Sequence, residues 1–188
     1  MIEDPTAAPS EQQLVIFRLG EDYFAMFIAH VNEIIRLQKI TPVPKAPAFV
    51  IGVTNLRGRV IPVIDLRQRF GLAPREDGYR SRIIVADHAG KLIGMIVDGV
   101  DEVLTVPSDA IEEPDEIVVS FDSEFLAGIV RLEDRLIILL DEEKVLNPSE
   151  IRQLQGMKVT GKALKEVEAQ AQLEGEPELA ALPSGGSA

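Results

Sequence analysis

Gly52-Val-Thr-Asn-Leu-Arg-Gly-Arg-Val-Ile-Pro-Val-Ile-Asp65 decides the fold, because a related stretch recurs later in the same chain. It aligns without a gap on Gly128-Ile-Val-Arg-Leu-Glu-Asp-Arg-Leu-Ile-Ile-Leu-Leu-Asp141, where five of 14 positions are identical and four more exchange Val, Ile and Leu. Each copy consists of two short apolar runs around a polar pair, which is typical of a β-hairpin. The repeated unit predicts an internally duplicated β protein.

A second pair of segments supports the duplication. Val31-Asn-Glu-Ile34 and Val100-Asp-Glu-Val103 each follow a predicted hairpin, one in each half of the chain. The alternative is that any two amphipathic hairpins share such patterns, since β patterning is degenerate. The common order of the two pairs favours duplication. The copies differ most at the turn, where Arg57-Gly58 in the first corresponds to Glu133-Asp134 in the second.

Short β-rich runs alternate with turn signals through the middle of the chain, which predicts antiparallel hairpins assembled into small barrels or a sandwich. The predicted strands are 14–19, 23–28, 52–56, 59–64, 83–86, 92–97, 126–132 and 136–140. Helix is sparse there. Short helical turns are expected at Val31, Ile34 and Ile35, at 66–70 and at 142–146.

Composition shifts set the predicted boundaries. Residues 1–12 are expected to be a disordered arm, 13–146 the β domain, 147–173 a helical tail broken near Gly156 and Gly161, and 174–188 a flexible coil. In the tail, Ile151, Leu154 and Met157 recur at helical spacing. This stripe either covers the protein's own core or docks a partner.

The bulk composition excludes several classes of function. The chain has 188 residues and a net charge of −12, which disfavours nucleic acid and anionic lipid as partners. It has no cysteine, and therefore no disulfide, thiolate metal site or cysteine nucleophile. No apolar run reaches the length of a membrane span or signal peptide, so a cytoplasmic protein without membrane insertion is expected.

Catalytic signatures are missing from the sequence. His30 and His88 are the only histidines and are 58 positions apart, without the spacing of a zinc site. Glycine-rich phosphate loops and nucleophile elbows do not occur. The carboxylate clusters at 112–113, 115–116 and 141–143 are interpreted as solvated faces. No enzyme activity, cofactor, metal or catalytic residue is predicted.

The stretch from Gly52 to Arg67, followed by Phe70-Gly71, resembles the signature of the CheW domain. The resemblance extends in order from Gln13 to Leu146, through the hairpin 14–28 and the segments 31–34, 47–49, 94–97, 98–100 and 128–146. It implies a mainly β fold of two SH3-like five-stranded barrels packed on a shared hydrophobic core. The helical tail is more than that core needs.

The same resemblance implies a non-enzymatic scaffold that couples a CheA-type histidine kinase to the cytoplasmic tips of methyl-accepting chemoreceptors. Such a protein is monomeric when isolated and is recruited to membrane-associated arrays in the cell. The implied receptor-binding residues are Val31, Glu33, Gly52 and Arg57. Glu33 and Arg57 are expected to pair at the groove mouth, with Val31 and Gly52 admitting an apolar receptor helix. Otherwise the pair is an ordinary exposed one of little energy.

The family resemblance also implies two kinase-binding surfaces, which together allow ring and lattice assembly. The first is carried by Thr41, Val43 and Lys45, and the second by Glu112, Glu116 and Ile117. The second departs from the pattern of some family members, which have a basic residue in place of Glu112 and an aromatic one in place of Ile117.

Three other functions stay open at the level of sequence. One is an adaptor with the same fold in a parallel pathway, such as one governing surface motility. Another is a small-ligand sensor or enzyme in which Arg57 grips an anion in the crevice between the barrels. The third is a β-rich oligomer formed through exposed strand edges.

Overall fold

The computed structural model describes residues 10–74, 78, 80–114, 123–174 and 186–187, and these form a mainly β fold. The helices are α1 (Leu66–Arg69), α2 (Glu142–Val145), α3 (Pro148–Gly156) and α4 (Gly161–Glu174). None of the helices in this part of the chain is long and apolar enough to span a membrane. The strands are β1 (Glu11–Leu19), β2 (Asp22–Phe27), β3 (Val31–Arg36), β4 (Val50–Leu56), β5 (Arg59–Asp65), β6 (Arg82–His88), β7 (Lys91–Val97), β8 (Gly99–Pro107), β9 (Ile111–Glu112), β10 (Leu126–Arg131), β11 (Leu136–Leu140) and β12 (Gly186–Ser187).

The strands form two sheets of the same design. One has the order β3-β6-β7-β5-β4, and the other contains β8-β1-β2-β11-β10 in corresponding positions, with β12 and β9 added at its edges. We call these the first and the second barrel. The chain leaving β3 returns to β4, where Thr41 bridges Val53, and β9 likewise pairs with β10. The predicted pair of five-stranded SH3-like barrels is confirmed.

The two repeats exchange hairpins. The first repeat supplies β1 to β5 and the second supplies β6 to β11. The first barrel combines β3, β4 and β5 with the hairpin β6-β7 of the other repeat, while the second barrel takes β1-β2 in return. In each barrel the borrowed hairpin is joined by a parallel pairing, β7 to β5 and β2 to β11. Neither repeat can therefore complete a barrel alone.

Three hydrophobic clusters lie in and between the barrels. The second barrel encloses residues such as Leu14 and Ile16, and the first encloses Ile83 and Val85. The alternate side chains of the same strands, including Val15 and Phe17, face a larger cluster to which both barrels contribute. Because successive side chains in a strand point to opposite faces, these central strands are apolar on both sides. The shared core predicted from the family is present.

The glycine that opens each repeat has the same structural role in both copies. Gly52 follows a bulge in the pairing of β4 with β5, and Gly128 follows the corresponding bulge between β10 and β11. A Cβ on Gly52 would lie 2.5 Å from the Thr41 carbonyl oxygen, and one on Gly128 would lie 2.6 Å from Ile111 Cγ2. Both positions require glycine because the neighbouring edge segment crosses so closely.

The aspartate that ends each repeat caps a helix. Asp65 accepts a hydrogen bond from the Arg67 amide at the start of α1, and Asp141 accepts one from the Glu143 amide at the start of α2. Side-chain oxygens at this position satisfy amides that the first turn leaves open. The identity of Gly and Asp at the two ends of the repeat thus reflects a bulge and a cap.

An ion pair joins the two barrels beside α1. Arg67 donates hydrogen bonds from its Nε to both carboxylate oxygens of Asp98, at 2.9 Å each. The same carboxylate accepts from the Gly20 amide in the β1-β2 turn, at 2.6 Å. The hydrogen bond to Asp98 raises the pKa of the Arg67 guanidinium. Through Asp98, Arg67 therefore connects the β1-β2 hairpin of the second barrel to α1, the helix that ends the first repeat.

The tail begins with a firmly held helix. The Asn147 side chain caps α3 and forms a reciprocal capping box with Glu150, which also pairs with Arg69 at 2.8 Å. Leu154 is buried in the shared core, with Ile151 and Met157 packed against it. Of the two roles left open for this stripe, the structure supports covering the protein's own core.

One sequence prediction about local structure was wrong, and strand β8 was missed. The helical turn at Val31, Ile34 and Ile35 is strand β3, in which Ile34 faces the shared core and Ile35 faces the first barrel's interior. Burial on both faces, with a bulge at Asn32, imitates helical spacing in so short a segment. Strand β8 was not predicted, because its Asp101-Glu102 pair interrupts the apolar pattern.

The ends of the chain also differ from expectation. Strand β1 begins at Glu11, within the predicted arm, and Glu11 and Gln12 pair with Pro107 and Val106 of β8. Gly186 and Ser187, within the predicted coil, lie parallel to Leu104 and Thr105. In both places the edge strand β8 offers backbone groups that short polar segments can pair with.

Replacing Gly52 with alanine is expected to lower the free energy of unfolding by about 1–3 kcal/mol, since the new methyl group overlaps the Thr41 backbone. Gly156→Ala is the control, because no atom lies within 4 Å of its would-be Cβ. Urea unfolding of the two variants measures the difference. Equal transitions would contradict the close crossing.

Burial of His88 predicts a pH-dependent stability. Desolvation lowers the pKa of this imidazole, outweighing the opposing effects of Glu143, the Leu146 backbone and Asp87. The unfolded chain, with a histidine pKa of about 6.5, then binds a proton more readily than the folded one. The His88 contribution to the free energy of unfolding should therefore fall as pH drops below about 6.5. Denaturation of wild type and His88→Gln at pH 7.5 and 5.5 isolates it, and parallel losses would refute the assignment.

Candidate functional site

Glu33 and Arg57 meet across the opening of the first barrel. Glu33 lies on β3 and Arg57 in the β4-β5 turn, so the contact joins opposite edges of one sheet. Arg57 Nη1 donates to Glu33 Oε1 at 3.1 Å, and Nη2 lies 3.0 Å from Oε2. The Glu33 side chain is 10% exposed, whereas that of Arg57 is 46% exposed. The predicted pair is present, with its cation facing solvent.

The turn that presents Arg57 is conformationally unusual. Arg57 and Gly58 have φ angles of +49° and +82°, as a two-residue type I′ hairpin loop requires. Asn or Asp commonly takes the first of these positions, and a long side chain there stores backbone strain. Asn55 holds the turn by accepting a hydrogen bond from the Gly58 amide at 2.9 Å. A strained backbone that presents a charge is typical of a functional position.

The other two implied receptor-binding residues lie differently. Val31 is partly buried on β3 and packs against the shared core, two residues from Glu33. Gly52 is buried against Thr41 and does not face the cleft that Glu33, Arg57 and Arg59 line. The structure therefore brings Glu33 and Arg57 together at the surface and gives Gly52 a position inside the edge of the barrel.

The first implied kinase surface is partly covered. Thr41 is 1% exposed, and its amide and carbonyl are bonded to Val53 at 2.8 and 2.9 Å. Val43 is half-buried and Lys45 is exposed, and both line a cleft completed by α3 and the segment that follows it. Only Val43 and Lys45 are thus open to a partner.

The second implied kinase surface begins at an exposed edge. Glu112 on β9 pairs with Arg131 on β10 at 2.8 Å, and the two side chains are 52% and 49% exposed. Glu116 and Ile117 lie outside the described residues.

The two kinase surfaces occupy equivalent places in the two barrels. Thr41 pairs with Val53 one residue after Gly52, and Glu112 pairs with Ile129 one residue after Gly128. The would-be Cβ atoms of the two glycines approach the carbonyl oxygens of Thr41 and Glu112 respectively. Sequence comparison of the hairpins alone did not reveal this equivalence, because the segments containing Thr41 and Glu112 share no residue pattern.

The second barrel has its own counterpart of the Glu33-Arg57 pair, which sequence reasoning missed. Glu102 corresponds to Glu33 and contacts Arg135. Arg135 also lies 4.9 Å above the Tyr23 ring, on which Arg18 lies at 5.5 Å. Here the position of Arg57 is taken by Glu133, so no cation is presented by the turn. The signal available in the sequence was the Glu repeated at the third position of each four-residue match, Glu33 and Glu102.

One carboxylate cluster is not the solvated face that was expected. Glu142 is 7% exposed and contacts His30 Nδ1, and Asp141 caps α2. This cluster is partly buried because Val145 packs α2 against the core, and Glu142 lies in the first turn of the same helix. Among the described residues, no group of three or more His, Asp or Glu side chains is arranged to hold a metal ion.

A comparison with known families agrees with this architecture. The model of the CheW-like domain matches residues 13–150. The chain belongs to the CheW family. The match covers both barrels and α2 and ends within α3, so α4 lies beyond it.

Individual relatives extend the comparison. The chemotaxis protein CheW of Rhizobium meliloti is 38% identical over 142 residues, covering 76% of this chain and 91% of its own. The scaffolding protein TtCheW of Thermoanaerobacter tengcongensis, a crystal structure, superimposes with a TM-score of 0.69 at 34% identity and covers 79% and 96% of the two chains. Protein FrzA of Myxococcus xanthus is 30% identical, covering 77% and 91%.

A double-mutant cycle on Glu33 and Arg57 should give a coupling energy below about 1 kcal/mol, because the cation is largely solvated. Chemical unfolding of Glu33→Ala, Arg57→Ala and the double variant measures it. Arg57→Gly is the control for the backbone and should exceed Arg57→Ala in stability by about 1–2 kcal/mol, because alanine is strained at this positive φ. A coupling energy above about 2 kcal/mol would show instead that the pair mainly stabilises the fold.

Proposed function

We propose that this protein is a cytoplasmic chemotaxis scaffold that holds a CheA-type histidine kinase and a chemoreceptor tip in one geometry. It performs no reaction of its own. Family membership supports the scaffold function, and the Glu33-Arg57 arrangement is the observation that supports a receptor site at the first barrel.

Arg57 is suited to recognition more than to stability. Its backbone is held at an unfavourable φ, its partner carboxylate is nearly buried, and close to half of its side chain remains exposed. Glu33 fixes the guanidinium plane while leaving donors for the uncharged backbone carbonyls of a receptor helix. Leu56 and Leu92 form the buried floor of the same cleft, so the charge lies above an apolar base.

The mechanism is avidity and orientation. A receptor bound at the first barrel and a kinase bound at an edge segment are held at a fixed separation by the shared core. Binding of one then raises the effective concentration of the other. The rigid joint at Arg67 and Asp98 preserves the angle between the barrels that such coupling needs.

Two alternatives are weaker. A small-anion sensor would place an anion beside Arg57, but the Glu33 carboxylate already occupies that guanidinium and repels a second negative charge. An adaptor of a parallel pathway remains compatible with the likeness to FrzA, and it would use the same surfaces with other receptors.

Arg57→Glu should reduce binding to receptor cytoplasmic fragments at least tenfold while leaving kinase binding unchanged, because it places a second carboxylate beside Glu33. Arg152→Glu is the matched control, since Arg152 is an exposed arginine on α3 outside the cleft. Co-sedimentation with receptor fragments and kinase from the same genome measures both interactions.

If wild type binds the kinase but Arg57→Glu retains the receptor, the receptor site lies elsewhere on the molecule. If wild type binds neither partner, the chemotaxis function itself is wrong. Equal losses of receptor binding in Arg57→Glu and Arg152→Glu would show that the effect comes from the overall charge of the protein. That result would contradict a site at the turn.

A further inference from the structure

The edges of the two barrels are equivalent in fold but not in exposure. Thr41 and Glu112 occupy corresponding positions beside Gly52 and Gly128. The Glu112 side chain is 52% exposed, whereas Thr41 retains 1% of its surface. At these two equivalent positions the first barrel's residue is buried and the second barrel's is exposed.

Helix α4 lies against the covered edge. It packs on β4, and the Gln170 amide donates a hydrogen bond to the Lys39 carbonyl at 3.0 Å. Lys39 lies two residues before Thr41, in the segment that closes the first barrel onto β4. Ala163, Val167 and Gln170, spaced at helical intervals, are the side chains of α4 that are buried.

The attachment of α4 is slight. Over residues 161–173 its buried side chains are one alanine, one valine and one amide, while Leu173 is 86% exposed. The Thr41 hydroxyl is buried without a hydrogen-bond partner among the described residues, an unfavourable arrangement that solvent would relieve. By contrast, α3 is held by Leu154 in the shared core and by the Arg69-Glu150 pair.

The connection between the helices permits α4 to leave. Residues 157–160 have no regular structure, and α4 begins at Gly161, whose φ of +63° favours glycine. The barrel strands pair with one another and not with α4, which bonds the Lys39 carbonyl through the Gln170 side chain. Release of α4 therefore leaves both barrels and α3 intact.

We propose that α4 is a removable cap on the part of the first barrel's edge around Lys39 and Thr41, which leaves the second barrel's edge at Glu112 as the more open attachment point. Resting on the proposed function, the cap makes the docked protein bind one kinase regulatory domain, and its release allows two. A scaffold with one open edge ends a chain of alternating partners, whereas one with two open edges extends it.

The test uses the full-length protein and the regulatory domain of the kinase from the same genome, with mass and stoichiometry measured by sedimentation. Wild type should bind one domain. Val167→Asp, which places a charge in the buried face of α4, should bind two. Ala169→Asp is the matched control on the exposed face and should bind one.

A second variant guards against misfolding. Gln170→Glu keeps the side-chain shape but replaces the amide donor facing the Lys39 carbonyl with an acceptor, and it should also bind two domains. Hydrogen exchange across α4 should quicken at least tenfold in both releasing variants, with β10 and β11 unchanged.

The outcomes separate the two proposals. Two domains on wild type, or one domain on both releasing variants despite faster exchange in α4, overturns the cap and leaves the scaffold function standing. Binding of no domain by any variant overturns the scaffold function and the cap together.

Discussion

The structure depends on strands that are apolar on both faces. Leu14 and Ile16 fill the second barrel, while Val15 and Phe17 from the same strand fill the space between the barrels. Burying each large side chain stabilises the fold by about 1.5–3 kcal/mol, so a barrel standing alone would expose a costly row. The two barrels are consequently one cooperative unit, and every surface on them has a fixed position relative to the others.

Much of this was predictable because the repeat carries its own structural markers. Gly52 and Gly128 mark bulges, Asp65 and Asp141 mark helix caps, and the runs between them alternate as hairpins do. Strand β3 was mistaken for a helical turn because burial on two faces removes the alternation on which strand prediction relies. The position of α4 beside Lys39 could not be predicted, since the contact joins residues more than a hundred positions apart.

The candidate site likewise has residues whose role was predicted from the sequence and residues whose role only the structure shows. The residues Glu33 and Arg57 were predicted as a pair from family resemblance, and the structure places their charges in contact. Gly52 was predicted to face a partner. The space beside its Cα is instead filled by the chain's own segment at Thr41. A side chain that presents a charge at a turn can be recognised from a motif. A glycine required for close packing looks the same in sequence as a glycine that faces a partner.

The exchange of hairpins imposes an order on biosynthesis. All strands of the first barrel lie within residues 31–97, so they can begin to pair while the ribosome is still translating the remainder, although their outer apolar face stays uncovered until the second barrel forms. Strands β1 and β2 emerge before it but must wait for β8, β10 and β11, whose last residue is Leu140. During that interval the earliest segment of the nascent chain exposes apolar strands, and it is there that a chaperone has the most to shield.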